Sequence, residues 1–324
     1  MFLVGPNPYG ICCTLGLQGK SPEPKDLSWF IGLAEQMRGR CIELHFAHIA
    51  NLSPAELDQV RERLQASSIQ PVISGPWPLS RLSESIPFAK RLGAQVVRTH
   101  LSPVLCGARA AQGDKWPEMV QEAKTRLTEL GLIFSGEGLT LALENHQDFG
   151  SEELLEFCDL GGDAFGIALD TGNPLAVGEA PIPFAKKVAS KVRHVHLKDY
   201  RVQPTPEGYR LVRCPIGDGA VPFPEIESIL SLHHNELTAS LEPGALDARH
   251  VKLLTDDWWQ GYPVRSEAEK QACLEAARIN ALPPDEDWRT PWEQGAEAAA
   301  VCRYEMDQMM KSIHNMQTFG WLPA

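Results

Sequence analysis

The chain is expected to fold as a (β/α)8 TIM barrel with a C-terminal helical extension, and three observations point there. Short apolar or β-branched runs alternate with amphipathic stretches along most of the 324 residues. Strict alternation of that kind implies parallel strands joined by right-handed crossovers. Eight such repeats occupy about 245 residues, the usual size of a closed barrel. No G-x-G-x-x-G follows the first strand, which turns the choice away from a doubly wound sheet.

The first strand is read near Tyr9–Leu15, followed by a helical pattern over Leu27–Arg38. Strand two, Cys41–Phe46, leads to a helix over Pro54–Ala66. There Ser53-Pro54-Ala55-Glu56 carries a capping box with proline at the first helical position. Strand three is Gln70–Ser74 and its helix Leu79–Arg91, with Gly93 where that helix should stop. Strand four, Val96–Leu101, precedes a helix over Trp116–Phe134, and Gly131 is read as another helix stop. Strand five is Thr140–Asn145 with helix Glu152–Asp159; strand six is Gly166–Asp170 with helix Pro181–Ala189. Strand seven, Val192–Leu197, is followed by helix Pro222–Leu232 and by strand eight, Thr238–Glu242. Beyond it, residues 245–264 form an aromatic-rich loop. Helical patterns at Ser266–Asn280 and Gly295–Met316 flank the Pro-rich LPPDEDWRTPW. One of these helices supplies the eighth barrel helix and the other an appendage. The chain is accordingly divided into a barrel over 1–281 and an extension over 282–324, packed on the barrel or on a partner subunit.

Composition bounds the function. A hydrophobic content of 43% is ample for one large core, and a formal charge of −12 without any Lys/Arg run argues against a nucleic-acid partner. Eight cysteines form no C-x-x-C pair, so reduced thiols are expected. No apolar run approaches the roughly 20 residues of a membrane span, and the start lacks the basic region of a signal peptide. A cytoplasmic protein with no membrane partner is expected, and the C-terminal appendage leaves a homodimer or tetramer open.

Four segments end on a metal-ligating side chain where a buried strand gives way to a loop: Glu144 in LTLALENH, Asp170 in FGIALDTGN, His196 in VRHVHLKD and Glu242 in TASLEPG. Barrel chemistry collects at the C-terminal strand ends. One Asp, two Glu and one His can close around a single divalent cation and leave positions for substrate. Three oxygens and one nitrogen suit Mn²⁺ first, with Mg²⁺, Co²⁺ or Zn²⁺ as alternatives.

Those strand ends, ENH, DTGN, HVHLKD and SLEPG, resemble the xylose isomerase-like barrels, which include ketose 3-epimerases, inosose dehydratases and hydroxypyruvate isomerases. CPIGDGAVPFPEI (214–226) is similar to that family's glycine-rich turn after strand seven, and the resemblance runs from about residue 9 to 244. It implies that Glu144 and Glu242 double as an acid/base pair acting on a small carbohydrate. The implied reaction is isomerisation or epimerisation, by proton abstraction next to a carbonyl through a metal-stabilised enediolate. The alternative is a metal-dependent lyase or dehydratase, inosose dehydratase-like or cleaving 3-keto-glycosides. Many relatives carry a histidine three residues after the aspartate, where this chain has Asn173. That change argues against a trinuclear zinc site of the DNA-repair endonuclease kind and keeps Asn173 as a substrate candidate.

Further substrate candidates follow from strand periodicity. His194, His196 and Lys198 share a face, with His194 deeper as a layer residue and Lys198 near the rim. His146 lies two residues beyond Glu144, His100 ends strand four, and Arg213 precedes the glycine turn. Glu43 marks strand two as a structural acid or a site residue. The 217–219 turn hints at backbone amides for a phosphate. Trp258, in the loop leaving strand eight, is a candidate apolar platform for a sugar or aglycone at the barrel mouth, the other reading of that loop being a buried subunit contact.

Overall fold

The computed structural model describes residues 2–18, 21–106, 109–283 and 285–324; Met1 and Pro284 of the Pro-rich stretch lie outside them. Eight strands make the central sheet: β1 (Phe2–Pro6), β2 (Cys41–His45), β3 (Gln70–Ser74), β4 (Val96–Thr99), β5 (Thr140–Glu144), β6 (Phe165–Asp170), β7 (Val192–Leu197) and β10 (Leu237–Leu241). Between them in sequence fall β8 (Tyr200–Thr205) and β9 (Gly208–Arg213), which with β11 (Arg249–Val251) build a separate antiparallel sheet. The order around the barrel is β1-β10-β7-β6-β5-β4-β3-β2, every paired neighbour being parallel. At the β1–β2 seam the Arg40 N–H donates to the Val4 carbonyl at 2.8 Å, so the ring is nearly closed. A Cβ on Gly5 would fall 1.6 Å from the Cys41 carbonyl oxygen. Only glycine lets the seam come together.

Helices α1 (Leu27–Gln36), α2 (Phe46–Ile49), α3 (Pro54–Ala66), α4 (Ile86–Leu92), α5 (Arg109–Gln112), α6 (Lys115–Glu137), α7 (Ser151–Gly161), α8 (Pro181–Val188) and α9 (Phe223–Ser231) follow the strands, and α10 (Glu267–Arg278) and α11 (Ala298–Thr318) come last. The α3 capping box forms: Ser53 N–H donates to Glu56 Oε2 at 2.7 Å, and Glu56 N–H donates to Ser53 Oγ at 3.3 Å. Gly93 closes α4 in the left-handed region, φ 77°. Gly131 does not stop a helix. It sits inside α6, which runs on to a left-handed Gly138, and a Cβ on it would lie 2.8 Å from the Gly161 Cα of α7. Close packing of two helices explains that glycine better than termination does.

Two further expectations need correcting. The first strand is Phe2–Pro6, not Tyr9–Leu15, whose start is a 3-10 turn over Pro8–Ile11. Asn7 ends the strand by accepting the Tyr9 N–H at 2.8 Å on its own side chain, the local bond that Asx residues use to begin turns. The β8–β9 hairpin went unread, although YRVQPTPEGYRLVR carries a Pro-Glu-Gly turn between two runs with β-branched and aromatic residues.

Buried side chains fall into one large cluster between the barrel and its helices and two smaller ones. Helix α11 joins the first through Met309, Ile313 and Met316, and the following Trp321 meets Phe2 edge-on at 4.9 Å. Helix α10 instead joins a second cluster through Cys273 and Ala277, with Val202, Tyr209 and Trp258. Among the described residues no helix is long and apolar enough to cross a membrane.

Candidate metal centre

The barrel strands are apolar on their outer face and carry chemistry on the inner one. Side chains alternate along a strand, so Leu141 and Leu143 of β5 pack into the core while Ala142 and Glu144 share the opposite face. The same period stacks Ala168 with Asp170, His194 with His196, and Ser240 with Glu242. Glu144 and Asp170 are the last residues of β5 and β6; His196 is one residue short of the end of β7, and Glu242 one residue past β10.

These four side chains converge. Each offers a donor atom, and the four atoms lie within 4.8 Å of one another. His196 Nδ1 is 2.9 Å from Glu242 Oε2 and 3.4 Å from Glu144 Oε1. Its other nitrogen, Nε2, lies 2.7 Å from Glu43 Oε2. If Nε2 carries the proton and donates to Glu43, the Nδ1 lone pair is turned toward the acids, the usual way an outer carboxylate orients a ligating histidine. Glu43 is itself fully buried and accepts from Asn7 Nδ2 at 3.1 Å and Arg98 Nε at 3.1 Å.

A test of fit to a divalent ion comes from bonding that is missing. Glu144 Oε2, Asp170 Oδ2 and His196 Nδ1 are buried and lack any hydrogen bond of good geometry. Ion-pair contacts remain, Arg98 to Glu144 Oε2 at 3.1 Å and Lys198 Nζ to Asp170 Oδ2 at 2.7 Å. Buried polar atoms are nearly always bonded, so three orphans in one ligand-type cluster fit a cation shared by the group. The donor set of three carboxylates and one imidazole suits a hard or borderline divalent metal.

The electrostatics are those of a crowded ion network. Burial would raise the Glu144 and Glu242 carboxyls, yet neighbouring cations win: Arg98 and His196 hold Glu144 well below the usual range, and Lys198 and His196 bring Glu242 down to about 2. Asp170 goes the other way, up to about 6, because burial and the Glu242 and Glu144 charges outweigh Lys198. For His196 burial favours the neutral ring, but Glu43 and Glu144 push it well above the ordinary histidine value.

A cavity of about 190 Å³ opens beside the quartet, bounded by Tyr9, Arg98, His100, His146, Arg213 and Arg249 among others. Of the expected substrate contacts, His100, His146, Lys198 and Arg213 line it. Lys198 is not at a solvated rim: it is buried, with Nζ between Asp170 Oδ2 and Glu242 Oε1, 2.5 Å from the latter. Asn173 does not line the cavity. Its Nδ2 donates to the Asn145 carbonyl at 3.0 Å, while its Oδ1 accepts from Tyr200 Oη at 3.0 Å and Gln147 Nε2 at 3.2 Å. Those bonds fix the loop that carries Asp170. Trp258 also lies away from the cavity, buried and stacked on Tyr262 with ring centroids 4.6 Å apart. Its indole fills the second core because the 245–264 loop folds over the Leu175–Gly178 turn. Arg98 and Arg249 were missed as site residues. Arg98 could have been found, since VVRTH places a charge inside an apolar strand, where it needs a partner.

Comparison with known proteins agrees with this architecture. The family model described as xylose isomerase-like TIM barrel matches residues 31–249. A 3-oxo-isoapionate decarboxylase of Pectobacterium atrosepticum is 24% identical over 220 residues, covering 66% of this chain and 76% of that protein. Inosose dehydratase 2 of Bacillus cereus is 29% identical over 125 residues, 32% of this chain and 40% of that protein. The crystal structure of a D-tagatose 3-epimerase-like protein superposes with a TM-score of 0.56 at 16% identity, covering 86% of this chain and 98% of its own.

Proposed function

The chain belongs to the xylose isomerase-like TIM-barrel family, and within it we propose a divalent-metal-dependent sugar isomerase or epimerase. The observation that carries this reading is the buried quartet Glu144, Asp170, His196 and Glu242, with three of its side-chain polar atoms lacking a hydrogen bond of good geometry. A divalent ion held there supplies Lewis acidity, polarising a substrate carbonyl and stabilising the charge left when the neighbouring proton departs.

The chain's own residues do the rest. Glu144 comes from β5 and Glu242 follows β10, with β7 and β6 between them in the ring by the shorter path, so the two carboxylates reach the cavity from different sides. Both are held ionised, Glu144 chiefly by Arg98 and Glu242 chiefly by Lys198, and an ionised carboxylate is what both a ligand and a proton acceptor require. One takes a proton from the carbon beside the carbonyl and the other returns one, a division of labour worth about 10²–10⁴-fold in rate for each group. His146 and His100, whose rings lie 4.9 Å apart, are kept neutral by burial, at about 4 and about 3. Neutral imidazoles on the cavity wall can bond sugar hydroxyls as donor or acceptor.

The same proton removal begins an elimination or a decarboxylation, and a lyase is the second reading. It is supported by the two curated relatives, whose names describe a decarboxylase and a dehydratase. Cleavage of a 3-keto-glycoside loses its support, since the aromatic platform expected at Trp258 is buried in the second core.

The test is solvent exchange. Metal-stripped and Mn²⁺-reloaded protein is incubated with ketoses and keto-sugar acids in D₂O and followed by NMR. Metal-dependent deuterium incorporation is expected, and its loss in both Glu144→Gln and Glu242→Gln, at Mn²⁺ concentrations shown by titration to fill the site in each variant, assigns the acid/base pair. An isomeric product marks the isomerase; an unsaturated or decarboxylated one marks the lyase. Exchange that persists in both variants, or that ignores the metal, overturns the assignment.

A further inference from the structure

The ion pairs around the cavity are shared unevenly. Arg98 is spent on Glu43, at 2.9 Å, and on Glu144, at 3.1 Å. Lys198 is spent on Asp170 and Glu242. Two guanidinium groups remain. Arg213 is 8% exposed, its one ion-pair contact among the described residues is Glu242 at 3.7 Å, and its Nη1 has no hydrogen bond. Arg249, on β11, lines the same cavity and makes no ion pair among the described residues; its Nε is buried and unbonded.

We propose that Arg213 and Arg249 form a recognition site for an anionic group, a carboxylate or phosphate, on the sugar substrate. The inference rests on the reading of this cavity as the substrate site. Two like charges beside one small cavity, Arg213 with a single long ion pair to Glu242 and Arg249 with none among the described residues, are costly unless an anion arrives to share them. A guanidinium fork matches carboxylate or phosphate oxygens in geometry as well as charge. A divalent ion in the quartet would make the excess positive, since Glu43, Glu144, Asp170 and Glu242 are already matched in number by Arg98, Lys198, Arg213 and Arg249.

Position supports the assignment. Arg213 is the last residue of β9 and Arg249 the first of β11, paired strands of the antiparallel sheet above the barrel. The hairpin that interrupts the barrel repeat carries Arg213, and β11, pairing on it after the last barrel strand, brings Arg249 to the same wall. The other candidate for an anion, the glycine turn, is already satisfied from within: Asp199 accepts the N–H groups of Gly217 at 3.0 Å, Gly219 at 2.8 Å and Val221 at 3.1 Å. Burial and the nearby Arg213 charge also weaken the hold of Arg249 on its proton, outweighing the Asp247 charge.

The test is isothermal titration of the full chain, metal-free and Mn²⁺-loaded, with D-gluconate, glucose 6-phosphate and the neutral polyol sorbitol. At least one anion should bind about 10- to 100-fold tighter than sorbitol, the range of charge-assisted bonds. Preference for gluconate identifies a carboxylate, preference for the sugar phosphate a phosphate. Arg249→Met should cut that preference about 10-fold, and Arg249→Lys should retain part of it, with Mn²⁺ affinity unchanged in both. Should Arg249→Met fail to fold, Arg249→Lys should still lower the preference several-fold. Equal affinity for all three probes, undetectable binding of all three, or an unchanged preference in the Arg249 variants overturns the anion site. Failure of the metal reading shows separately, as no Mn²⁺ binding by the wild type while the metal-free anion preference stands.

Discussion

Replacing Glu43 by glutamine tests whether the layer beneath the quartet prepares His196 for a metal. Glu43 Oε2 lies 2.7 Å from His196 Nε2 and accepts Asn7 Nδ2 at 3.1 Å, while Oε1 takes Arg98 through Nε and Nη2 at 3.1 and 2.9 Å. A glutamine amide can satisfy only one of those sets. With its NH₂ toward Arg98, donors face donors in a buried site. With its NH₂ toward His196, Nε2 must become the acceptor, the proton moves to Nδ1, and the nitrogen facing Glu144 and Glu242 can no longer ligate. Loss of such an outer partner costs about 10- to 100-fold in metal affinity, or ~1.4–2.7 kcal/mol. At Mn²⁺ fixed at 100 times the wild-type Kd, the metal stabilises the wild type by ~2.7 kcal/mol but the variant by only ~0.4–1.4 kcal/mol. Independently of metal, the apo variant should lose stability toward or below the lower end of ~3–5 kcal/mol for breaking a buried pair, because Arg98 keeps Glu144. The assay is Mn²⁺ calorimetry together with denaturant unfolding, with and without metal. A Mn²⁺ affinity within twofold of wild type in Glu43→Gln would refute the orienting role.

Three other outcomes follow from packing and charge. Gly131→Ala gains ~1 kcal/mol of helix propensity but forces a Cβ to 2.8 Å from Gly161 Cα; at ~1–3 kcal/mol for overpacking, a net loss of stability is expected in urea unfolding, and a stabilised variant would show that α6 and α7 separate easily. Trp258→Ala should cost ~3–5 kcal/mol, as for a large core aromatic, yet leave Mn²⁺ and sugar-acid titrations unchanged; weakened ligand binding at full folding would return the indole to the barrel mouth. Burial pushes the Glu152 carboxyl up, but Lys187 and Arg265 outweigh it and bring it to about 2. A depressed carboxyl contributes stability above its unfolded value, near 4.3, and loses it as pH falls toward about 2. Glu152→Gln should therefore flatten unfolding stability between about pH 4 and 2, and an unaltered slope would mean that this ion pair contributes nothing to acid stability.

Much of the barrel is legible in the sequence because a parallel strand buried on both faces is written as a short apolar run, and its helix as a 3.6-residue pattern. Thr140–Glu144 and Val192–Leu197 are of this kind, and the ligand-type residues stand out because each is a polar side chain closing such a run. The misreadings share a cause. Phe2–Pro6 holds a glycine, ends on one proline and stands two residues before another, so it does not announce itself, and Gly131 looks like a helix stop until α7 is seen lying against it. In each case the deciding partner is remote in sequence.

By itself the sequence determined the repeating strand–helix unit, the four converging strand ends and the chemistry their donors can support, because periodicity and residue type are local properties. Tertiary structure alone decided how charges pair across the barrel. Glu43 meets His196 153 positions away, Lys198 turns inward to two acids instead of outward, Trp258 goes to a second core, and the three-stranded antiparallel sheet brings Arg213 and Arg249 to one wall. Pairing and burial depend on which strands become neighbours, and ring closure fixes that only when the whole chain is folded.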